Sequence, residues 1–398
     1  MKRSVEKLYE ISRKASRNII GLMSGTSLDG LDIALCRITG SGLETRAELL
    51  AFTTIPYEPG FCGHVREVFA RKDGELEKIC LLHPLVAQVQ ARMVVDALKQ
   101  WKISPEEVDL IASHGQTVYH APYSFHHNPE FPNATLQLGD GDHMAEITGI
   151  ITLSDFRQKH IAAGGEGAPL AIYGDYLLFA DKEESRLLLN MGGISNLTFI
   201  PAATGFDRVF CTDVGPGNTL MDAYVQKYFN LPYDEDARIA SRGQLNEDLL
   251  NRLMDHSFLR LSAPKTTGPE LFNMEYLDAA LETSGMQGQL SHEDILHTLA
   301  HFTVKCIAQC IAKHLPADSS VRGFVSGGGA SNPLVLNLLK KTCPDLQFTD
   351  TSALGLDPDA KEAVLFALLA NETVSGSANV EGTAAYPWVS MGKVSFPG

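Results

Sequence analysis

Residues 18–36 read Asn18-Ile19-Ile20-Gly21-Leu22-Met23-Ser24-Gly25-Thr26-Ser27-Leu28-Asp29-Gly30-Leu31-Asp32-Ile33-Ala34-Leu35-Cys36. A short apolar run enters a turn of small, polar and acidic residues, and a second apolar run leaves it, which is the pattern of a β-hairpin. The pattern recurs near mid-chain. There Arg186-Leu187-Leu188-Leu189-Asn190-Met191 leads into Gly192-Gly193-Ile194-Ser195-Asn196 and out through Leu197-Thr198-Phe199-Ile200, with glycines expected where a turn needs positive φ. After each hairpin, strand and helix patterns alternate, as in mixed sheets covered by helices.

The bulk of the sequence fits two such halves. At 398 residues with 44% hydrophobic composition, the chain is too long for one ordinary domain and can fill two cores. We place a first α/β lobe at 17–182 and a second at 183–398, with the segment 376–398 returning to the first. A formal charge of −15 excludes nucleic acid and anionic membranes as main partners, because both attract basic surfaces. A small molecule remains. If that molecule is anionic, backbone N–H groups, helix N-termini and Mg²⁺ must supply the positive potential, which directs attention to the glycine-rich turns.

The seven cysteines are scattered without a Cys-x-x-Cys pair, so reduced thiols in the cytoplasm are expected rather than a disulfide framework or zinc ribbon. Residues 1–17 mix Lys and Arg with Glu6 and Glu10 and lead into no signal-peptide core, so export is not expected. No run of eighteen uncharged apolar residues predicts a membrane span.

Helical spacing links Leu82, Leu85, Val86, Val89, Met93 and Ala97. A second helix, capped by Ser291, carries Ile295, Leu299, Phe302, Cys306 and Cys310 on one face. Cys306 and Cys310 read as core packing, since nothing supplies further metal ligands. Ser104-Pro105 reads as a cap before the strand Val108 to Ala112, and Val321 to Ser326 as a strand after the second helix.

Three turns could carry chemistry. The first offers Ser24, Thr26 and Ser27 hydroxyls with Asp29 and Asp32, groups that suit phosphate and Mg²⁺ but also an ordinary hairpin. The second, Thr212-Asp213-Val214-Gly215-Pro216-Gly217-Asn218, ends a strand in a carboxylate beside a helix that Asn218 is expected to cap. Asp213 suits a general base, a metal contact or a turn-stabilising role. The third, Ser326-Gly327-Gly328-Gly329-Ala330-Ser331-Asn332-Pro333, bares backbone on which a flat ligand such as adenine could lie, with Asn332 capping the next helix. Neither Gly-x-x-x-x-Gly-Lys-Ser/Thr nor a strand-borne Gly-x-Gly-x-x-Gly is present, which disfavours P-loop and dinucleotide folds. Two hairpins in two halves plus a late glycine turn match the actin/hexokinase-like (ribonuclease H-like) ATPase plan, in which the nucleotide lies in the cleft between lobes.

Longer motifs are sharper. Gly21 to Asp32, Ser113-His114-Gly115-Gln116-Thr117, Asp155-Phe156-Arg157, Ala162 to Leu170, Asn190 to Asn196, Asp213 to Asn218 and Pro264-Lys265-Thr266-Thr267-Gly268 together resemble the anhydro-N-acetylmuramic acid kinase family, in order from about residue 18 to the C-terminus. The resemblance implies a homodimeric, cytoplasmic enzyme of cell-wall recycling that uses ATP and Mg²⁺. It would open the 1,6-anhydro ring with water while phosphorylating O6, giving N-acetylmuramic acid 6-phosphate and ADP. It also implies that Gly25, Thr26, Ser27, Leu28, Asp29, Gly30, Leu31 and Asp32 hold ATP phosphates, with Gly192 and Gly193 approaching them from the other lobe. Gly327, Gly328 and Gly329 would lie by the adenosine, and Asp213 would be the base that activates water. His114 and Gln116 would contact the sugar, and Arg157 its lactyl carboxylate, which a guanidinium fork suits; the rival account of Arg157 is a surface salt bridge. No metal ligands are assigned. Departures at His160, Glu166 and Pro269 fall in loops that bear on sugar selectivity, and the first sixteen residues stand outside the resemblance. His120, His126, His127 and His143 read as a solvated insertion rather than a metal site. Two rival readings stay open: a sugar kinase of the same fold acting on an ordinary hydroxyl, and an actin-like ATPase or sensor with a protein partner.

Overall fold

The computed structural model describes residues 3–268, 270–315, 321–351, 355, 357, 359–376 and 380–398; Pro269 therefore lies outside the described residues. The chain divides into two compact units. One comprises residues 1–178, 205–207 and 359–398, and the other residues 179–204 and 208–358. The sequence reading put the division after 182 and the return near 376. In the structure the chain comes back at Asp359, early enough that the whole helix Lys361–Ser375 belongs to the first unit.

In the first unit the opening hairpin is β1 (Ser16–Met23) against β2 (Gly30–Thr39), which then pairs antiparallel with β3 (Arg46–Pro56). On the other side β1 runs parallel to β4 (Leu110–Ser113). A two-stranded ladder, β5 (Gln116–Ala121) with β6 (Ala134–Leu138), branches off after β4. β7 (Thr152–Ser154) then extends the main sheet parallel to β4, and the strand Lys393–Ser395 closes its edge. The long helix Leu76–Trp101 buries Leu82, Val86, Val94 and Ala97 in the first unit's core with Ile20, Ile33 and Ile111.

The second unit repeats that sheet. β8 (Ser185–Met191) and β9 (Ile194–Ile200) form the second hairpin, β10 (Phe210–Pro216) pairs antiparallel with β9, and β11 (Val321–Ser326) and β12 (Gln347–Asp350) run parallel to β8. Written by order of appearance, both sheets contain the sequence 3-2-1-4-5 with only the second strand reversed. This doubled arrangement is the actin/hexokinase-like, ribonuclease H-like plan. The helix His292–His314 is long and apolar enough to cross a membrane by length and composition alone. Here Leu296, Leu299, Phe302 and Ile307 sink into the second unit's core, together with Cys306. Ser291 caps this helix, its side chain accepting from the Asp294 N–H.

The helix Lys361–Ser375 packs on β1, β2 and β4. A side chain on Gly21 would collide with the Ala363 carbonyl, so the helix approaches the strand backbone directly. Gly21→Ala is expected to lower the unfolding free energy by about 3 kcal/mol, with a matching drop in the thermal midpoint; an unchanged melting curve would show that the helix can move away.

Candidate functional site

Within the first unit, the turn between β1 and β2 exposes Thr26, Ser27 and Asp29 and buries Leu28. Leu28, rather than a glycine, takes the left-handed conformation, with φ of 57°, and its carbonyl accepts from the Cys62 thiol at 3.2 Å. The Ser27 hydroxyl donates to Asp29 Oδ1 at 2.9 Å and the Thr54 hydroxyl to Asp32 Oδ1 at 2.6 Å. Burial pushes the Asp32 carboxyl up, and the charges of Asp29 and Asp359 push it further against the Thr54 hydrogen bond. Carboxylates crowded in this way favour a cation, and their hard oxygens match Mg²⁺. Leu31 is a core residue with no exposed surface, so it can serve the turn only through its backbone.

Ser24 does not offer its hydroxyl to a ligand. It is buried, donates to Gln116 Oε1 at 2.5 Å and accepts from the Tyr57 hydroxyl at 2.8 Å. Gln116 is fully buried as well, and its amide nitrogen donates to the carbonyls of Gly25 at 3.1 Å and Thr117 at 3.2 Å. Gln116 thus ties the start of β5 to the first turn, so its influence on a sugar would pass through that turn.

His114 and Arg157 do meet. Arg157 Nε–H donates to His114 Nε2 at 3.0 Å and Nη1–H to the Gly167 carbonyl at 2.8 Å. Burial, aided by the Arg157 cation, holds His114 well below the usual imidazole range, so its ring is neutral and Nε2 is free to accept. Burial brings Arg157 down to about 10, with Glu362 acting the other way; the group stays charged at neutral pH. Among the described residues it forms no salt bridge within 4 Å, contrary to the surface-pair reading. Glu362, which no sequence motif pointed to, feels Arg157 and Asp32 together, and burial raises its carboxyl. The one signal for it was its place at the start of a helix with a solidly apolar continuation.

His160 is fully buried and accepts the Gly167 N–H on Nδ1 at 2.9 Å. A side chain on Gly165 would strike its ring. His160 therefore moulds the Gly164–Gly167 loop whose Gly167 carbonyl receives Arg157, whereas Glu166 is exposed beside Ser124 at 3.2 Å. Among the described residues no three His, Cys, Asp or Glu side chains gather as a metal site. His126 instead braces its own loop, accepting from Asn128 N–H at 3.0 Å.

In the second unit the hairpin glycines Gly192 and Gly193 do not take positive φ, contrary to the expectation from the sequence. Smallness serves close approach at Gly193 and at Gly217, whose Cβ would strike the Gly192 carbonyl. The N–H groups of Gly217 and Asn218 donate to the carbonyls of Gly193 and Gly192, both at 2.8 Å, and a Cβ on Gly193 would lie 2.8 Å from Thr219 Oγ1. Asn218 does not cap its helix with its side chain, which reaches the Met191 carbonyl at 3.4 Å. Gly327, with φ of 78°, also lies against Asn190 and Met191. The three glycine turns of this unit thus converge. Beside them opens a hollow of about 470 Å³ lined by Gly328, Asn218, Asp222, Tyr233, Leu296 and Asn332, among others, a size suited to a nucleoside. Asn332 caps its helix through the N–H groups of Leu334 and Val335, both at 3.1 Å.

Asp213 sits on β10 where a bulge follows it, between Asp213 and Gly215, which re-aims the side chain. The Pro264–Gly268 segment is stitched to it: Asp213 N–H donates to the Lys265 carbonyl at 3.0 Å, and Thr267 N–H to Asp213 Oδ2 at 2.9 Å. Burial pushes the carboxyl up to about 6 despite the Thr267 hydrogen bond, and Glu270 adds to the rise. One oxygen is held and the group titrates close to neutrality, as a general base requires.

A family model described as "Anhydro-N-acetylmuramic acid kinase" matches residues 17–397. The protein of that name from Pseudoalteromonas atlantica is 51% identical over 401 residues, covering 100% of both chains. One from Caldanaerobacter subterraneus is 36% identical, covering 98% of this chain and 100% of its own. Among solved structures, (R)-2-hydroxyglutaryl-CoA dehydratase component A from Acidaminococcus fermentans aligns over 91% of this chain and 99% of its own at 9% identity and a TM-score of 0.42, too distant to add to the topology.

A base works ionised, and the ionised fraction of Asp213 falls below its folded pKa of about 6. With Asp213 as the base, catalytic efficiency is therefore expected to drop about tenfold per pH unit below 6, measured as kcat/KM against pH. The same shift makes ionised Asp213 a burden on folding that grows as pH rises from the ordinary carboxylate range through 6. Asp213→Asn should accordingly melt no lower than the parent protein at pH 8.

Proposed function

The chain belongs to the anhydro-N-acetylmuramic acid kinase family, and from that premise we propose that it converts 1,6-anhydro-N-acetylmuramic acid, water and ATP into N-acetylmuramic acid 6-phosphate and ADP. Asp213 takes a proton from water as the oxygen attacks C1. The C1–O6 bond breaks, and O6 accepts the γ-phosphoryl group while ADP leaves. The observation that supports this reading most directly is Asp213 itself, one oxygen pinned by Thr267 N–H and its carboxyl raised to about 6. A kinase that only deprotonated a reactive sugar hydroxyl would use the same group, so the fate of water separates the two.

The phosphates are assigned to the backbone of Gly25–Asp32 and of Gly192–Gly193, and the nucleoside to the hollow beside Gly327–Gly329. Mg²⁺ would be held by Asp29 and Asp32 with phosphate oxygens and water, where it offsets phosphate charge. A two-carboxylate contribution suits Mg²⁺, which keeps much of its hydration. Arg157 is assigned the lactyl carboxylate, oriented by His114 and Gly167. We also propose a homodimer in the cytoplasm; seven free cysteines fit a reducing compartment, and light scattering tests the dimer.

Turnover in ¹⁸O-labelled water is expected to place the label at C1 of the product sugar, read by mass spectrometry; an unlabelled sugar phosphate would leave the ordinary-hydroxyl reaction. ADP release stimulated only by a protein partner, and by no sugar in a panel, would favour the sensor. Asp213→Asn should keep ADP binding while kcat falls by about 10² to 10⁴. Arg157→Lys keeps the charge but loses the fork, and is expected to raise KM for the sugar about tenfold or more while KM for ATP moves less than twofold.

A further inference from the structure

We propose that Tyr57 and Gln90 are positioning residues that staple the first phosphate turn at both ends and so set the enzyme's grip on ATP; this rests on the assignment of that turn to the nucleotide. Tyr57 lies just past β3 and reaches the turn twice. Its N–H donates to the Asp29 carbonyl at 3.3 Å, and its hydroxyl donates to Ser24 Oγ at 2.8 Å. Behind it, Gln90 on the helix Leu76–Trp101 donates from Nε2 to the Tyr57 hydroxyl oxygen at 3.0 Å.

The chain of bonds has one direction. Gln90 Nε2–H supplies Tyr57, the Tyr57 proton goes to Ser24, the Ser24 proton goes to Gln116 Oε1, and the Gln116 amide donates to Gly25. Tyr57, Ser24, Gln90 and Gln116 are all at least 93% buried. In such surroundings each link polarises the next, and a missing link leaves a neighbour unsatisfied. Burial also pushes the Tyr57 phenol up to about 12, which keeps its proton in place as a donor at any working pH. Among the described residues Gln90 Oε1 has no hydrogen-bond partner. A fully buried amide carrying an idle acceptor is costly, so its value at this position lies in the bond its nitrogen makes.

Neither residue touches a reacting atom on this reading. Both act through the backbone that runs from Ser24 to Asp29, where Leu28 holds a left-handed conformation without glycine's tolerance for it. Loosening the Ser24 end lets the exposed N–H and hydroxyl groups of Thr26 and Ser27 drift from the phosphates, and misplacement of about 1 Å is enough to be felt in rate.

Tyr57→Phe removes one oxygen and preserves both the ring and the N–H bond to Asp29. In steady-state kinetics of the full-length protein, KM for ATP is expected to rise about tenfold while KM for the anhydro sugar stays within twofold. Gln90→Met should shift KM for ATP in the same direction by less. The double variant should lose no more than Tyr57→Phe alone, because both act through one hydroxyl. Unchanged KM for ATP, parallel rises for both substrates, or additive losses would each overturn the proposal. If Tyr57→Phe does not fold, Ser24→Ala breaks the same link from the other side and must show the same split. Should the parent protein turn over no sugar, the proposed function fails by itself; calorimetric ADP binding by parent and Tyr57→Phe then decides the staple, through a weakening of about tenfold or its absence.

Discussion

The first unit depends on the bare backbone of Gly21. Because β1 has no side chain there, the helix Lys361–Ser375 can lie on the strand itself, with the Ala363 carbonyl in the space a Cβ would need. Arg17 donates to Asn371 at 2.7 Å and the Gly42 N–H to Glu372 at 2.9 Å, anchoring the last turns of the helix. At its other end the same helix brings Glu362 within electrostatic reach of Arg157 and Asp32. One absent methyl group thus connects the core of a sheet to the charges beside its first turn.

Around Arg157 the chemistry is arranged by withholding charge. A neutral His114 accepts from Arg157 because burial and the guanidinium both oppose its protonation. The cation is left with the Gly167 carbonyl and a distant carboxylate rather than a tight ion pair. A guanidinium so placed is ready for an incoming anion, whereas one locked to Asp or Glu would first have to give that partner up. His160 shapes the loop that provides the carbonyl, accepting the Gly167 N–H on a ring nitrogen.

The parts written in local periodicity were legible from sequence. Both hairpins, the helix begun by Ser291, the Asn332 cap and the general placement of Asp213 all follow from alternation, caps and turn residues within short windows. What escaped depends on distant partners. Asn218 looks like an N-cap, but the Met191 carbonyl, 27 residues away, takes its amide. Gly192 and Gly193 look like positive-φ positions, but neither adopts positive φ; smallness is needed instead at Gly193, against Thr219, and at Gly217, against the Gly192 carbonyl. The burial of Gln116 and its bond from Ser24, 92 residues earlier, likewise have no local signal. Glu362 sits in no motif, because its neighbours Arg157 and Asp32 come from strand ends and helices hundreds of residues upstream.

The division of the chain also orders its synthesis. The second unit closes with residue 358, whereas the first is interrupted and regains a helix and an edge strand only from 359–398. Domains usually fold as they leave the ribosome, the N-terminal one first. Here the N-terminal unit is the last to become complete. Until Lys361–Ser375 emerges, the face of β1, β2 and β4 that it covers has no partner from its own unit, through the whole time the second unit is being made. Premature termination in the last forty residues would therefore spare the unit nearest the break and disable the one that was made first.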